Sequence, residues 1–178
     1  MAMIPVDLPP ALVAEGIALR QERDDDIPFL TELYASTRAG ELESLPHWTD
    51  SDKAAFVVQQ FAAQRHHYRT TLTDVHFAVV EHGGQPIARL YVQLRRNAMQ
   101  LIDITLRPER RGAGLGSALI AAVIDSAARR RLDVGLFVER YSAALPLYRR
   151  LGFKTLVEHD VYLEMERPLD ADQLKTAS

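Results

Sequence analysis

Polar and apolar residues recur along this chain with two different periods, and the changes of period mark its elements. Residues 1–15 are expected to be an irregular lead-in, because Pro5, Pro9 and Pro10 oppose regular structure. A short strand over 16–23 leads to a helix over 24–38. Asp24, Asp25 and Asp26 supply its N-cap and first-turn acids, and Ile27, Leu30, Leu33 and Tyr34 recur at helical spacing. Residues 39–52, with Gly40, Pro46 and four acids, read as a loop. A second helix over 53–69 carries Phe56, Val57, Gln60 and Phe61 along one stripe.

The period then falls to two. Residues 75–81 and 86–94 are predicted strands, joined by the hairpin His82-Gly83-Gly84-Gln85. In the second of them Ala88, Leu90, Val92 and Leu94 share one face, and Arg89, Tyr91 and Gln93 the other. A third strand over 100–107 alternates Ile102, Ile104 and Leu106 with Leu101, Asp103 and Thr105, and Pro108 ends it. Residues 114–131 form the clearest helix, with small and apolar residues along one stripe and three arginines at its C-terminal end. A strand over 134–139, a short helix over 142–151 stopped by Gly152, and strands over 153–158 and 161–166 close the chain.

This order predicts a mixed α+β domain around one sheet. A chain of 178 residues is expected to hold a single domain over 16–168, with a tail over 169–178. No apolar run reaches the roughly 18 residues of a membrane span. Residues 1–15 lack the basic cluster of a signal peptide, so a soluble cytoplasmic protein with no membrane partner is the expectation. The absence of cysteine excludes disulfides, thiolate zinc sites and a cysteine nucleophile. His66 and His67 are adjacent and cannot share a helix face as metal ligands do, so no metal is expected. His76 and His82 read as surface histidines. A net charge of −3 argues against nucleic acid as a partner. The charge is uneven, however: residues 107–150 carry nine arginines and four acids, a local +5 within a remainder of −8. That imbalance suggests a local anion site.

The segment Leu101-Ile-Asp-Ile-Thr-Leu-Arg-Pro-Glu-Arg-Arg-Gly-Ala-Gly-Leu-Gly-Ser-Ala-Leu119 carries the chemistry. A strand enters a turn with Gly112, Gly114 and Gly116 at alternate positions, and the turn opens a helix. Glycines let the backbone approach a ligand, and the free N–H groups of a first helical turn favour an anion. Arg110 or Arg111 adds a charge-assisted contact. A glycine-rich connection that only permits tight packing is the competing explanation. The P-loop fails here for want of its lysine, and the dinucleotide fingerprint for want of its third glycine, where Ser117 stands.

The pattern Arg111-Gly112-Ala113-Gly114-Leu115-Gly116, after Leu106-Arg107-Pro108-Glu109-Arg110, resembles the signature of the GNAT superfamily of N-acetyltransferases. Downstream, Ala144-Leu145-Pro146-Leu147-Tyr148-Arg149-Arg150-Leu151-Gly152-Phe153 is similar to the family's second motif, although Tyr141 stands where asparagine is frequent. The resemblance implies a mixed, largely antiparallel central sheet, splayed at its middle strands and flanked by about four helices. It also implies acetyl-CoA as donor, with the diphosphate on the amides of Arg111, Gly112, Ala113, Gly114, Leu115, Gly116 and Ser117. The pantetheine arm would lie beside Ile104, Thr105 and Leu106, and the amide around Leu106 would polarise the thioester carbonyl.

The resemblance places Tyr148 at the thiol, as the general acid. A phenol of pKa about 10 is protonated at neutral pH, as that role requires. Asp103, on the polar face of the donor strand, and Glu139, at the end of the next, are candidate bases, with a water chain as a third route. In this superfamily the first two helices and their loop wall the acceptor site. Glu41, Glu43, Asp50 and Asp52 would make that rim acidic and favour a small-molecule or peptide amine. The leading expectation is an acetyl-CoA-dependent N-acetyltransferase. The alternative is a non-catalytic acyl-CoA-binding or regulatory module of the same fold. A homodimer is left open.

Overall fold

The computed structural model describes residues 3–169. Its helices are α1 (Pro10–Ala14), α2 (Ile27–Glu43), α3 (Asp50–Thr71), α4 (Leu115–Arg129) and α5 (Leu145–Arg150). Its strands are β1 (Ile17–Gln21), β2 (Val75–His82), β3 (Gln85–Leu94), β4 (Ala98–Leu106), β5 (Asp133–Glu139), β6 (Lys154–Glu158) and β7 (Tyr162–Arg167). The seven strands form one sheet in the order β1-β2-β3-β4-β5-β7-β6, in which only β4 and β5 run parallel. This is the mixed α+β architecture that the periodicity predicts.

Helices cover the sheet on both sides. On one side α1, α4 and α5 close a core that includes Leu12, Val80, Leu90, Leu119, Val123, Leu136, Tyr148 and Met165. On the other, α2 and α3 bury Phe29, Leu30, Leu33, Tyr34, Val57 and Phe61 with Val79. The second cluster stops at the β4 half of the sheet. The same face of β5, β7 and β6 leaves Phe137, Val157 and Tyr162 exposed.

Several local expectations change. The lead-in is ordered: Val6 and Leu12 are buried, and Asp7 N–H donates to Ser126 Oγ of α4 at 2.9 Å. Pro10 opens α1 at a position where no backbone N–H is needed. The loop expected over 39–52 shrinks to residues 44–49, because α2 continues through Gly40 and α3 starts at Asp50. Thr49 and Asp52 form a reciprocal capping box that fixes that start. Asp50 and Asp52 therefore serve a helix N-terminus, and Glu41 pairs with Arg38 at 3.1 Å. His76 is buried, not superficial, with its Nε2 3.5 Å from Asp74 Oδ1. The tail expected over 169–178 lies, apart from Leu169, outside the described residues.

The change that matters most for the site is a β-bulge. Tyr91 faces Asp103 and Val92 faces Leu101, so Ile102 is an extra residue in β4. The alternation expected over 101–106 breaks there, since a bulge shifts the phase by one residue. Leu101 turns toward α4 with Ile104 and Leu106, and Asp103 and Thr105 turn toward α3.

Candidate active site

β4 and β5 pair over four rungs, ending at Leu101 with Leu136. Beyond that rung both strands continue but no longer meet. β4 stays on β3 and β5 stays on β7, which opens a gap in the middle of the sheet. The bulge at Ile102 sits where the strands part. Arg107 N–H donates to Ile87 O across the β3 side. By the alternation of an antiparallel ladder, the main-chain groups of Ile104 and Leu106 then point away from β3, into the gap.

The glycine turn caps the wide end of this gap. Gly112 and Gly114 have φ of 76° and 86°, in the left-handed region where a side chain is strained. A Cβ built at either meets no protein atom within 4 Å, so the space beside them is open. Gly114 is the N-cap of α4 and offers no side-chain cap. Among the described residues, no protein group accepts from the amides of residues 112–117, and the first helical bond runs from Ala118 N–H to Gly114 O. The result is a run of unpaired donors at the positive end of a 15-residue helix. Arg111 N–H is spent on Pro108 O at 3.1 Å, so it drops out of the amides expected to hold the diphosphate; its exposed side chain donates to Leu106 O at 3.0 Å and Ser36 Oγ at 2.7 Å.

A groove of about 840 Å³ runs from this turn to the gap. Ile104, Thr105, Leu106, Arg111, Gly112, Gly114, Gly116, Ser117 and Tyr148 line it together. Ala113 and Leu115 belong to the same turn without lining the groove. Tyr148 packs its ring edge-on against Phe153, with centroids 5.7 Å apart. Its hydroxyl meets no hydrogen-bond partner among the described residues. Tyr141 is 97% exposed and takes no part.

Asp103 is the first residue of β4 beyond the bulge, where the gap begins, and its side chain does not itself line the groove. Its carboxylate accepts from Arg89 Nε at 3.0 Å and Nη2 at 2.7 Å, and from Thr105 Oγ1 at 2.8 Å. Arg89 is only 2% exposed, and its Nη2 also donates to Gln64 Oε1 of α3 at 3.1 Å. Burial opposes the Arg89 charge and Asp103 more than offsets it, so the guanidinium is held above its ordinary range. Glu139 is exposed at the far end of β5 and does not line the groove. Arg89 was legible only as one of three polar residues on a face of β3. Its sequence signal is an arginine in an otherwise apolar run, Ile87-Ala88-Arg89-Leu90, in a strand that two helices cover.

Burial pushes the Tyr148 phenol up to about 12, and Asp103 adds to the effect. Tyr68 of α3 is pushed to about 12 as well, by burial and then by Asp103. Between pH 10 and 12 the unfolded chain loses these protons while the folded chain keeps them. Stability is therefore full below pH 10 and falls as pH rises to 12, with Tyr148 alone accounting for about 2 kcal/mol. Urea midpoints at pH 9 and 11.5 should show the drop, and Tyr148→Phe should reduce it.

The fold is that of solved acetyltransferases and of one protein described as a member of the GNAT family. Residues 73–155 match the model of the acetyltransferase (GNAT) domain family, a stretch from β2 into β6 that contains both sequence motifs. Over 85 residues the chain is 44% identical to the mycothiol acetyltransferase of Clavibacter michiganensis subsp. michiganensis (strain NCPPB 382). That stretch is 47% of this chain and 23% of that protein, so the chain spans about a quarter of that curated relative. Among solved structures, the PaiA N-acetyltransferase of Thermoplasma acidophilum in complex with coenzyme A superposes with a TM-score of 0.62 at 19% identity. The alignment covers 85% of this chain and 98% of that one. The ribosomal-protein-S18-alanine N-acetyltransferase of Escherichia coli gives 0.58 at 19% identity, over 86% and 94% of the two chains. At these identities the likeness is one of fold. The resemblance read in the motifs thus holds for residues 73–155 and for the architecture around them. Among the described residues no helix is long and apolar enough to cross a membrane, and no three His, Asp or Glu side chains cluster as metal ligands would.

Proposed function

We propose that this chain is an acetyl-CoA-dependent N-acetyltransferase that acts on a primary amine. The observation that carries the reading is the run of amides over 112–117 that meet no protein acceptor among the described residues, in a groove that Tyr148 also lines. The amides and the α4 dipole hold the donor's diphosphate, in the open space beside Gly112 and Gly114. The main chain of Ile104 pairs with the pantetheine arm as β5 would have done, while Leu106 O stays with Arg111. Arg111 closes over that arm from the α2 side.

The bound donor supplies a thioester carbonyl. The Leu106 N–H is aimed into the gap and polarises that carbonyl. Asp103 keeps one oxygen site beyond those taken by Arg89 and Thr105, and receives a proton from the approaching amine. We assign it this role ahead of Glu139 because it stands at the point where the strands part. Tyr148 donates to the departing sulfur.

Calorimetry with coenzyme A and thiol release from acetyl-CoA across an amine panel test the reading. Binding with no turnover on any amine would favour a non-catalytic acyl-CoA-binding module. Tyr148→Phe retains the ring packing against Phe153 and removes only the proton. It should lower kcat by about a hundredfold, at the low end for a general acid, and leave the affinity for coenzyme A unchanged. An unaltered kcat would remove Tyr148 from the mechanism.

A further inference from the structure

On the sheet face that carries Asp103, the helices end and, among the described residues, the β5–β7 pair continues uncovered. Phe137 is the first residue of β5 beyond the last parallel rung, Leu101 with Leu136. Asp103 is the first residue of β4 beyond the bulge. Side chains alternate along a strand, so Phe137 turns to the face opposite buried Leu136, the face that Asp103 shares with α3. A carboxylate and an aromatic ring therefore flank the point where the strands part.

The pattern continues outward. In the β5–β7 ladder Phe137 stands opposite Glu164, and Glu139 opposite Tyr162. Aromatic and acidic residues thus form a checkerboard on one face. Phe137 is 49% exposed and Tyr162 47%, as large a share as many surface polar groups show. Phe137 directly follows the last parallel rung and Glu139 opposite Tyr162 lies two residues further along β5, so the checkerboard runs outward from the point where the strands part. Exposed aromatic area beside a reaction site is unusual unless something covers it. Acids beside the rings select a cation, and ring faces favour an ammonium as well.

We infer that the acceptor is a primary ammonium on a ring-bearing apolar body, with its nitrogen at Asp103 and its body on Phe137 and Tyr162. Glu139 draws it in by charge, with Glu164 beside it although His159 stands 3.8 Å from the Glu164 carboxylate. The inference rests on the N-acetyltransferase reading above and names its substrate class. In the transfer, the acceptor nitrogen forms the C–N bond as the C–S bond breaks. Of the two protons lost by the ammonium and the new amide, one is balanced on the sulfur and the other ends in solvent.

Thiol release from acetyl-CoA should be measured with 2-phenylethylamine, ethanolamine and a short peptide that begins with phenylalanine. Wild type, Phe137→Ala and Tyr162→Ala are compared, with Val13→Ser of α1 as an exposed apolar control. We expect kcat/KM for 2-phenylethylamine or the peptide to exceed that for ethanolamine by about tenfold or more. The ratio of 2-phenylethylamine to the peptide reads whether the body is a free amine or a peptide end. Phe137→Ala should remove most of this preference by raising the amine KM, with the acetyl-CoA KM unchanged. Val13→Ser should behave as wild type. Equal or better use of ethanolamine, or an equal loss on every amine in Phe137→Ala, overturns this inference and leaves the N-acetyltransferase reading intact. Absence of turnover with all amines overturns both.

Discussion

Gly114→Glu is expected to abolish coenzyme A binding in calorimetry, which means a loss of at least about a hundredfold in affinity. Three effects act together. The residue sits at φ 86°, where a side chain costs about 1–2 kcal/mol in backbone strain. The new side chain fills space that no protein atom occupies and that the diphosphate needs. A carboxylate near 4 Å from a phosphate repels it by about 4 kcal/mol at the effective dielectric of a protein surface. Gly114→Ala separates these effects. It carries the same strain, should lower Tm by roughly 2–8 °C as the glutamate variant does, and keeps the helix dipole without an opposing charge. The alanine variant should therefore bind measurably. Equal affinity in the two variants would show that charge at this turn is irrelevant and would refute the anion cradle.

The parts of this site that were legible in the sequence are the local ones. A strand, a glycine turn and an amphipathic helix in immediate succession declare a helix N-terminus built for an anion, and Tyr148 follows on a short helix with its own Gly152 stop. Local signals also existed where the reading fell short. Thr49-Asp50-Ser51-Asp52 is a capping box in sequence, and it locates the start of α3 that the acids alone had suggested was a loop. Gly40 stopped nothing, because one glycine costs a 17-residue helix only about 1 kcal/mol. The bulge at Ile102 had no such mark. Leu101-Ile102-Asp103-Ile104 is compatible with either phase, and the choice is made by what each face meets: apolar α4 on one side, Arg89 and Gln64 on the other. The exposed face of β5 and β7 was likewise invisible, since alternation cannot tell which strands the helices will cover. Contacts over a separation of 14 residues, such as Arg89 with Asp103, are settled by register and not by any neighbouring residue.

That pair is the source of the largest expected effect on stability. Arg89→Met should destabilise the fold by about 3–5 kcal/mol, read as a lower urea midpoint with an unchanged slope. Arg89 lies in the middle strand of the meander and is 2% exposed, and two of its nitrogens are spent on Asp103. Methionine fills a similar volume, so the cost does not come from a cavity. It comes from leaving the Asp103 carboxylate, with only 12% of its side chain exposed, facing Thr105 and no cation. The double variant Arg89→Met with Asp103→Leu should then recover most of that loss, because it removes the stranded charge along with its partner. It also removes an existing defect: Arg89 Nη1 is buried without a hydrogen-bond partner among the described residues, and methionine has no such donor. The double variant should fold and bind coenzyme A, yet fail to acetylate amines, since the anion at the parting of the strands is gone. Additive losses in the two single variants would mean that the pair is uncoupled. Arg89 would then be a packing residue, and Asp103 would owe it neither its charge nor its aim.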